Sequence, residues 1–170
     1  MLNNHKTNKM KKILLFTILL SCTYSFAQEI TGRTRTNDKY SNSLKAMTEQ
    51  YLKNDFTLFD EMYADDAILN VNGEIFTKNE VKQGFSMHHL LYENIELPSF
   101  VETTFYDENN NNQVWSHQWG WWQGTSKKFG KRDEPNPLNA SFKWVDGKIV
   151  NASWIYDPTE LVKEIAASQK

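Results

Sequence analysis

Apolar residues recur along this chain with two different periods, and the switch between them outlines the elements. Behind a capping Ser41, the residues Leu44, Met47, Tyr51 and Leu52 fall along one face at helical spacing. Asn54-Asp55 interrupts that face, and Asp55 is placed to cap a second, short helix through Phe56, Phe59 and Met62-Tyr63. From Asp66 the pattern becomes strand-like: Ala67 to Val71, an Asn72-Gly73 turn, then Glu74 to Phe76 as a returning partner. Thr77 and Glu80 have the spacing of a capping box, and the helix they open carries Val81, Phe85, His88 and Tyr92 on one stripe. Pro98 closes that region. Four strand-like segments follow: Phe100 to Tyr106, Gln113 to Thr125 with Gly120 and Gly124 as bending points, Asn139 to Val145, and Lys148 to Tyr156. The last two are joined by Asp146-Gly147, a second hairpin signal. Asp157-Pro158-Thr159-Glu160 then opens a final helix.

Helices set apart from an antiparallel sheet make an α+β domain. A strongly curved sheet closing over a long helix would leave a cavity between them. In order and spacing, the chain resembles the nuclear transport factor 2-like superfamily, and within it the SnoaL-like branch. The resemblance is carried by Leu52 to Phe59, Tyr63 to Ala67, the strand ending at Gly73, the helix opened at Thr77, and Val145 to Val150. It covers roughly residues 41–168. It implies a cone-shaped curved antiparallel sheet packed against three helices, plus a C-terminal helix. It also implies a pocket between sheet and helices, and a homodimer formed through the outer sheet face. It fixes no activity, because the same fold serves isomerases, cyclases, hydrolases and proteins that only bind.

Residues 1–27 read as a signal peptide. Lys6, Lys9, Lys11 and Lys12 form a basic head, and Ile13 to Leu20 is apolar apart from Thr17. That run is too short for a membrane-spanning helix, which needs roughly 20 residues. Two processing routes fit: cleavage after Ala27, or lipidation of Cys22 within Leu19-Leu20-Ser21-Cys22. Either places the protein outside the cytoplasm, periplasmic or secreted. Cys22 is the one cysteine of the chain, so the domain forms no internal disulfide. Residues 28–40 are polar and read as a flexible lead-in.

The leader holds four of the 19 basic residues and none of the 21 acidic ones, so the remainder is more acidic than the whole chain's net −2. That argues against a nucleic-acid or anionic-membrane partner, which needs a basic patch. Lys127, Lys128, Lys131 and Arg132 cluster, but Asp133 and Glu134 follow at once, as in a solvated loop. No phosphate-binding glycine loop, activated serine or cysteine nucleophile is found, and no cofactor or metal site is expected.

All six tryptophans lie between Trp115 and Trp154. Strand alternation puts Trp115, His117, Trp119 and Trp121 on one face, and Val114, Ser116, Gln118 and Trp122 on the other. If the first face is concave, His117 points into a pocket ringed by indoles, and a titratable group in an apolar cleft is a functional candidate. The expected ligand-binding set is then Tyr51, His88, Tyr92, His117, Trp119 and Trp121, serving a small apolar or aromatic molecule. His88 would approach His117 across the cavity. His89 would lie at the surface, pairing with Glu93. In catalytic relatives a carboxylate often follows the Asp-Asp-Ala stretch, and another sits in the last strand. Here those places hold Asn70-Val71-Asn72-Gly73 and Asn151 to Ile155, without an acid. A lyase, isomerase or hydrolase reading would therefore rest on His117 as general base, assisted by Asp66 or Tyr106. A third reading is a dimeric interaction module.

Overall fold

The computed structural model describes residues 32–169; the leader, its two processing routes and the start of the lead-in lie outside the described residues. The elements are β1 (Gly32–Arg35), α1 (Lys39–Leu52), α2 (Thr57–Met62), β2 (Tyr63–Val71), β3 (Glu74–Phe76), α3 (Lys78–Leu91), β4 (Tyr92–Glu96), β5 (Val101–Asp107), β6 (Gln113–Ser126), β7 (Asn136–Val145), β8 (Lys148–Tyr156) and α4 (Thr159–Ser168). The strands form one curved, open sheet in the order β1-β5-β6-β7-β8-β2-β3, with β4 paired to the far end of β6.

Local chemistry explains most boundaries. Both hairpin turns adopt positive φ at their two central residues, Asn72 and Gly73 in one, Asp146 and Gly147 in the other. The Thr77–Glu80 capping box forms at the start of α3. Asp55 accepts from Thr57 N and Oγ1 at 2.9 and 2.7 Å ahead of α2, and Asp157 does the same for Thr159 ahead of α4. At α1 the cap is Asp38, not Ser41: Ser41 N donates to Asp38 Oδ1 at 2.7 Å.

Three further features differ from the sequence reading. The sheet is mixed, because β2 lies parallel to β8 while the other pairs are antiparallel. A long stretch of chain separates these two strands, so no tight turn forces them antiparallel. Residues 32–35, read as part of a flexible lead-in, form an edge strand on β5. Gly-Arg-Thr-Arg has no apolar alternation to reveal it, since backbone pairing alone places it. Tyr92 ends the stripe of α3 by starting β4, a short strand that runs beside Gln123–Ser126.

The inner face of the sheet carries the core. Leu69, Ala140, Phe142, Trp144, Ile149, Ala152 and Trp154 are buried beneath α1, α2 and α3, with Leu44, Phe59 and Val81 facing them. Ile149 and Ala152 share that face despite their odd spacing, because the β7–β8 register shifts between Lys143 and Trp144. Where α1 crosses the sheet, a file of buried hydroxyls replaces apolar contact. Trp144 Nε1 donates to Ser116 Oγ at 2.8 Å, Ser116 meets Thr104 at 2.8 Å, and Thr104 meets Ser41 at 2.8 Å. The Ser41 hydroxyl donates onward to the Arg35 carbonyl at 3.2 Å.

Candidate functional site

Past the α1 crossing, the sheet curls away from the helices and encloses a cavity of about 420 Å3. β6 makes the curl. Its first half pairs with β5 and its last residues pair with β4; Gly120 sits between the two stretches and Gly124 within the second, both on the inner face. Both glycines mark close approaches: a Cβ on Gly120 would lie 2.4 Å from the Phe100 ring, and one on Gly124 would lie 2.8 Å from the Trp122 ring.

The floor is built of rings. Phe59, Phe85, Trp122 and Trp154 line it with Tyr51 and Tyr92. They meet mostly edge to face: Phe85 on Trp154 at 5.7 Å, Tyr51 on Phe85 at 5.7 Å, and Tyr92 on Trp122 at 5.0 Å.

One hydrogen-bonded chain runs through these rings. Trp122 Nε1 donates to Tyr51 Oη at 2.7 Å, and Tyr51 Oη meets His88 Nδ1 at 3.0 Å. The chain can be written two ways. Tyr51 donates to Nδ1 and His88 keeps a hydrogen on Nε2. Alternatively, His88 donates from Nδ1, which leaves the Nε2 lone pair and the Tyr51 hydrogen free for a ligand. Burial, helped by the neighbouring His89, lowers the His88 pKa to about 4, so the ring is neutral at physiological pH. Burial also raises the Tyr51 pKa well above the usual phenol value, and its hydroxyl stays protonated. Gln118 adds an amide at the α1 end, where its Nε2 donates to Thr48 Oγ1 at 2.9 Å. The rim is acidic: Asp55, Asp133, Glu134, Asp157 and Glu160 line it, against Lys131 as the one basic residue. Among the described residues no three His, Cys, Asp or Glu side chains come together in a metal-holding group.

Of the six residues expected in the pocket, the structure brings Tyr51, His88 and Tyr92 together and leaves His117, Trp119 and Trp121 outside. The alternation along β6 holds, but the concave face is the other one. Ser116, Gln118 and Trp122 point inward, while Trp119 and Trp121 are 43% and 44% exposed on the outer face. The reason is room beneath α1: Ser116, Thr104 and Ala140 let the helix come close, and indoles there would not. The signal was in the strand pairing, since His117 and Trp115 lie opposite Ser141 and Lys143, whereas Ser116 and Gln118 lie opposite Phe142 and Ala140. A lysine on one face and a phenylalanine on the other identify the inside. Trp122, missed as a site residue, was already assigned to the face that proves concave.

The other candidates are also placed elsewhere. His117 cannot meet His88 through the sheet. Asp66 is exposed on β2. Tyr106 donates to Asp38 Oδ2 at 2.6 Å and helps anchor the α1 cap. His89 is not a surface residue paired with Glu93, because Glu93 belongs to β4. Its ring instead sits edge-on to Tyr51 at 5.1 Å, with Nε2 buried and without a partner.

A curved sheet and helices around a ring-lined, ligand-sized cavity define a class of α+β pocket fold. No family model matches the chain, and no curated protein does. Solved structures do. IdmH of Streptomyces antibioticus, a candidate polyketide cyclase, superposes with TM-score 0.55 at 14% identity, over 76% of this chain and 99% of its own. An NTF2-like protein of unknown function from Burkholderia pseudomallei gives TM-score 0.55 at 12% identity, over 76% and 98%. PrhC from Penicillium brasilianum gives TM-score 0.52 at 11% identity, over 75% and 91%. The chain has the nuclear transport factor 2-like fold. At these identities the likeness speaks for the fold alone.

Proposed function

We propose that this protein binds a small, ring-bearing apolar molecule in the cavity between β6 and the helices, outside the cytoplasm. The observation that supports it most is the Trp122–Tyr51–His88 chain. These polar atoms run through an otherwise apolar floor, where they offer a bound molecule a donor or an acceptor. Rings give the ligand area to stack on, and the few polar groups orient it, as in small-molecule pockets generally. The extracytoplasmic setting rests on the leader pattern of residues 1–27.

The test is the melting temperature of the protein against a panel of fused-ring alcohols, ketones and amines. A ligand that binds only the folded state adds RT ln(1 + [L]/Kd), about 2.7 kcal/mol at a hundredfold excess over Kd. A reproducible rise for at least one ring class is expected. A flat panel would sink the proposal.

A catalytic reading now centres on His88 rather than His117. A neutral imidazole hydrogen-bonded to a phenol can move a proton on a bound ketone or enol. All the cavity's acids sit at the rim, so the floor lacks a carboxylate base. This reading predicts turnover of a fused-ring ketone that His88→Ala abolishes while binding persists. Binding without turnover across the panel would leave the protein a carrier or sensor.

The homodimer is proposed on a separate observation. Val101, Trp119 and Ile155, all exposed, lie in one row across the outer sheet face, joined through Asn139.

A further inference from the structure

The rim carries a second set of groups that the apolar floor leaves unused. Tyr92 is 2% exposed, yet its Oη has no hydrogen-bond partner. The Asp133 carboxyl lies within reach of it, and the charges of Glu160 and Glu164, both on α4, act on it as well. Glu164 is itself 5% exposed with Oε2 unpartnered. A buried phenol oxygen and a buried carboxyl oxygen left without partners are each costly, and each calls for a group that completes it.

The surroundings decide the sign of that ligand. Two rim carboxylates are already occupied, Asp55 by Thr57 and Asp157 by Thr159, and Glu160 is shared with Lys163. Asp133 is different, because its backbone is fixed while its carboxyl faces the Tyr92 hydroxyl and the cavity. Asp133 N donates to the Gly124 carbonyl at 2.9 Å, and Gln123 Nε2 donates to the Asp133 carbonyl at 3.0 Å. The carboxyl therefore stands over the cavity on a rigid support. Burial first, and then the like charges of Glu160 and Glu164, raise its pKa against the opposing effects of the Tyr92 hydroxyl and Lys131. Electron-rich ring faces lie below, which attract cations as carboxylates do.

We propose that the rim between Tyr92, Asp133 and Glu160 selects for a protonated amine, so that the preferred ligands are ring-bearing amines with the ring on the floor and the ammonium at the rim. This inference rests on the pocket reading and refines it. The ammonium donates to Tyr92 Oη and to the Asp133 carboxylate, and it offsets the repulsion among Asp133, Glu160 and Glu164. An anionic analogue meets the same carboxylates and is excluded.

Three probes of one shape separate the ideas: naphthylmethylamine, naphthylmethanol and naphthoate, each titrated by calorimetry into the full-length protein. The amine is expected to bind about tenfold or more tighter than the alcohol, and the carboxylate weakest, with the amine's advantage shrinking at high salt. Asp133→Asn and, separately, Tyr92→Phe should each bring the amine-to-alcohol affinity ratio down toward one. Tyr92→Phe keeps the ring and removes only the hydroxyl, so it serves even if Asp133→Asn disturbs the loop. Equal binding of amine and alcohol overturns the inference and leaves the pocket reading standing. Tightest binding by the carboxylate overturns it as well. Failure of all three to bind overturns the inference and counts against the pocket itself.

Discussion

Burial keeps His88 neutral in the folded protein, whereas the unfolded chain takes up a proton at the ordinary histidine value. The folded pKa is lowered from 6.5 to about 4. Below 6.5 the unfolded state therefore binds a proton that the folded state refuses, and stability falls as pH drops through that window. The loss from His88 is on the order of 2–3 kcal/mol by pH 4, less whatever solvent contact the ring keeps. His89 and His117 are lowered by burial too and add to the slope in the same direction. Denaturant melts of the wild type and of His88→Gln across this range should show a shallower slope in the variant. Parallel slopes would mean that His88 titrates normally. The hydroxyl file gives a second prediction at this scale. Thr104→Val leaves Ser41 and Ser116 short of a buried partner and should cost about 1–3 kcal/mol, while Thr104→Ser keeps most of the stability. Chemical denaturation of both variants checks it.

At the level of elements, the long strand β6 decides where the cavity lies, and its inner glycines decide how wide it is. Gly124→Ala would bring a Cβ to 2.8 Å from the Trp122 ring and 3.1 Å from the Tyr92 ring. Either ring must then move into the cavity. The substitution should cost about 1–3 kcal/mol of stability and weaken ligand binding more than Thr77→Ala does. Thr77→Ala removes a cap far from the site, at a cost of about 1 kcal/mol. Equal effects of the two on binding would contradict the role given to β6. Elements with a local chemical signal were legible in the sequence: both hairpins, the α3 capping box, and the four strands from Val101 to Tyr156. Those without one were not. β1 and β4 are short and held by backbone pairing, so nothing in their side chains alternates visibly. The parallel β2–β8 pair depends on a long connection that no local pattern encodes.

For the whole molecule, the open question in the sequence was which side of the sheet is inside. Alternation sorts the residues of β6 into two sets correctly, but a set rich in indoles looks like a cavity wall whether or not it is one. Position under α1 settles it, and that is a property of packing between elements distant in the chain. Tyr51, His88 and Tyr92 were recoverable because they lie on helix stripes, or next to one, that must face the sheet. Trp119 and Trp121 then belong to the outer surface, where exposed indoles are common at interfaces between subunits. If that face joins two copies, Trp119→Asp combined with Trp121→Asp should turn a dimer into a folded monomer, read by light scattering and circular dichroism. A wild-type monomer, or a dimer that survives both changes, would exclude the face.

The proposed ligand binding depends on Trp122, which lines the cavity, and not on Trp121, which lies outside it. The most direct measurement is the affinity of one fused-ring probe, naphthylmethanol, for the wild type, Trp122→Leu and Trp121→Leu, by calorimetry under identical conditions. Loss of the Trp122 indole removes both a stacking wall and the donor that fixes Tyr51, and should weaken binding about tenfold or more. Trp121→Leu should bind as the wild type does. Binding lost with Trp121 and kept with Trp122 would contradict the account.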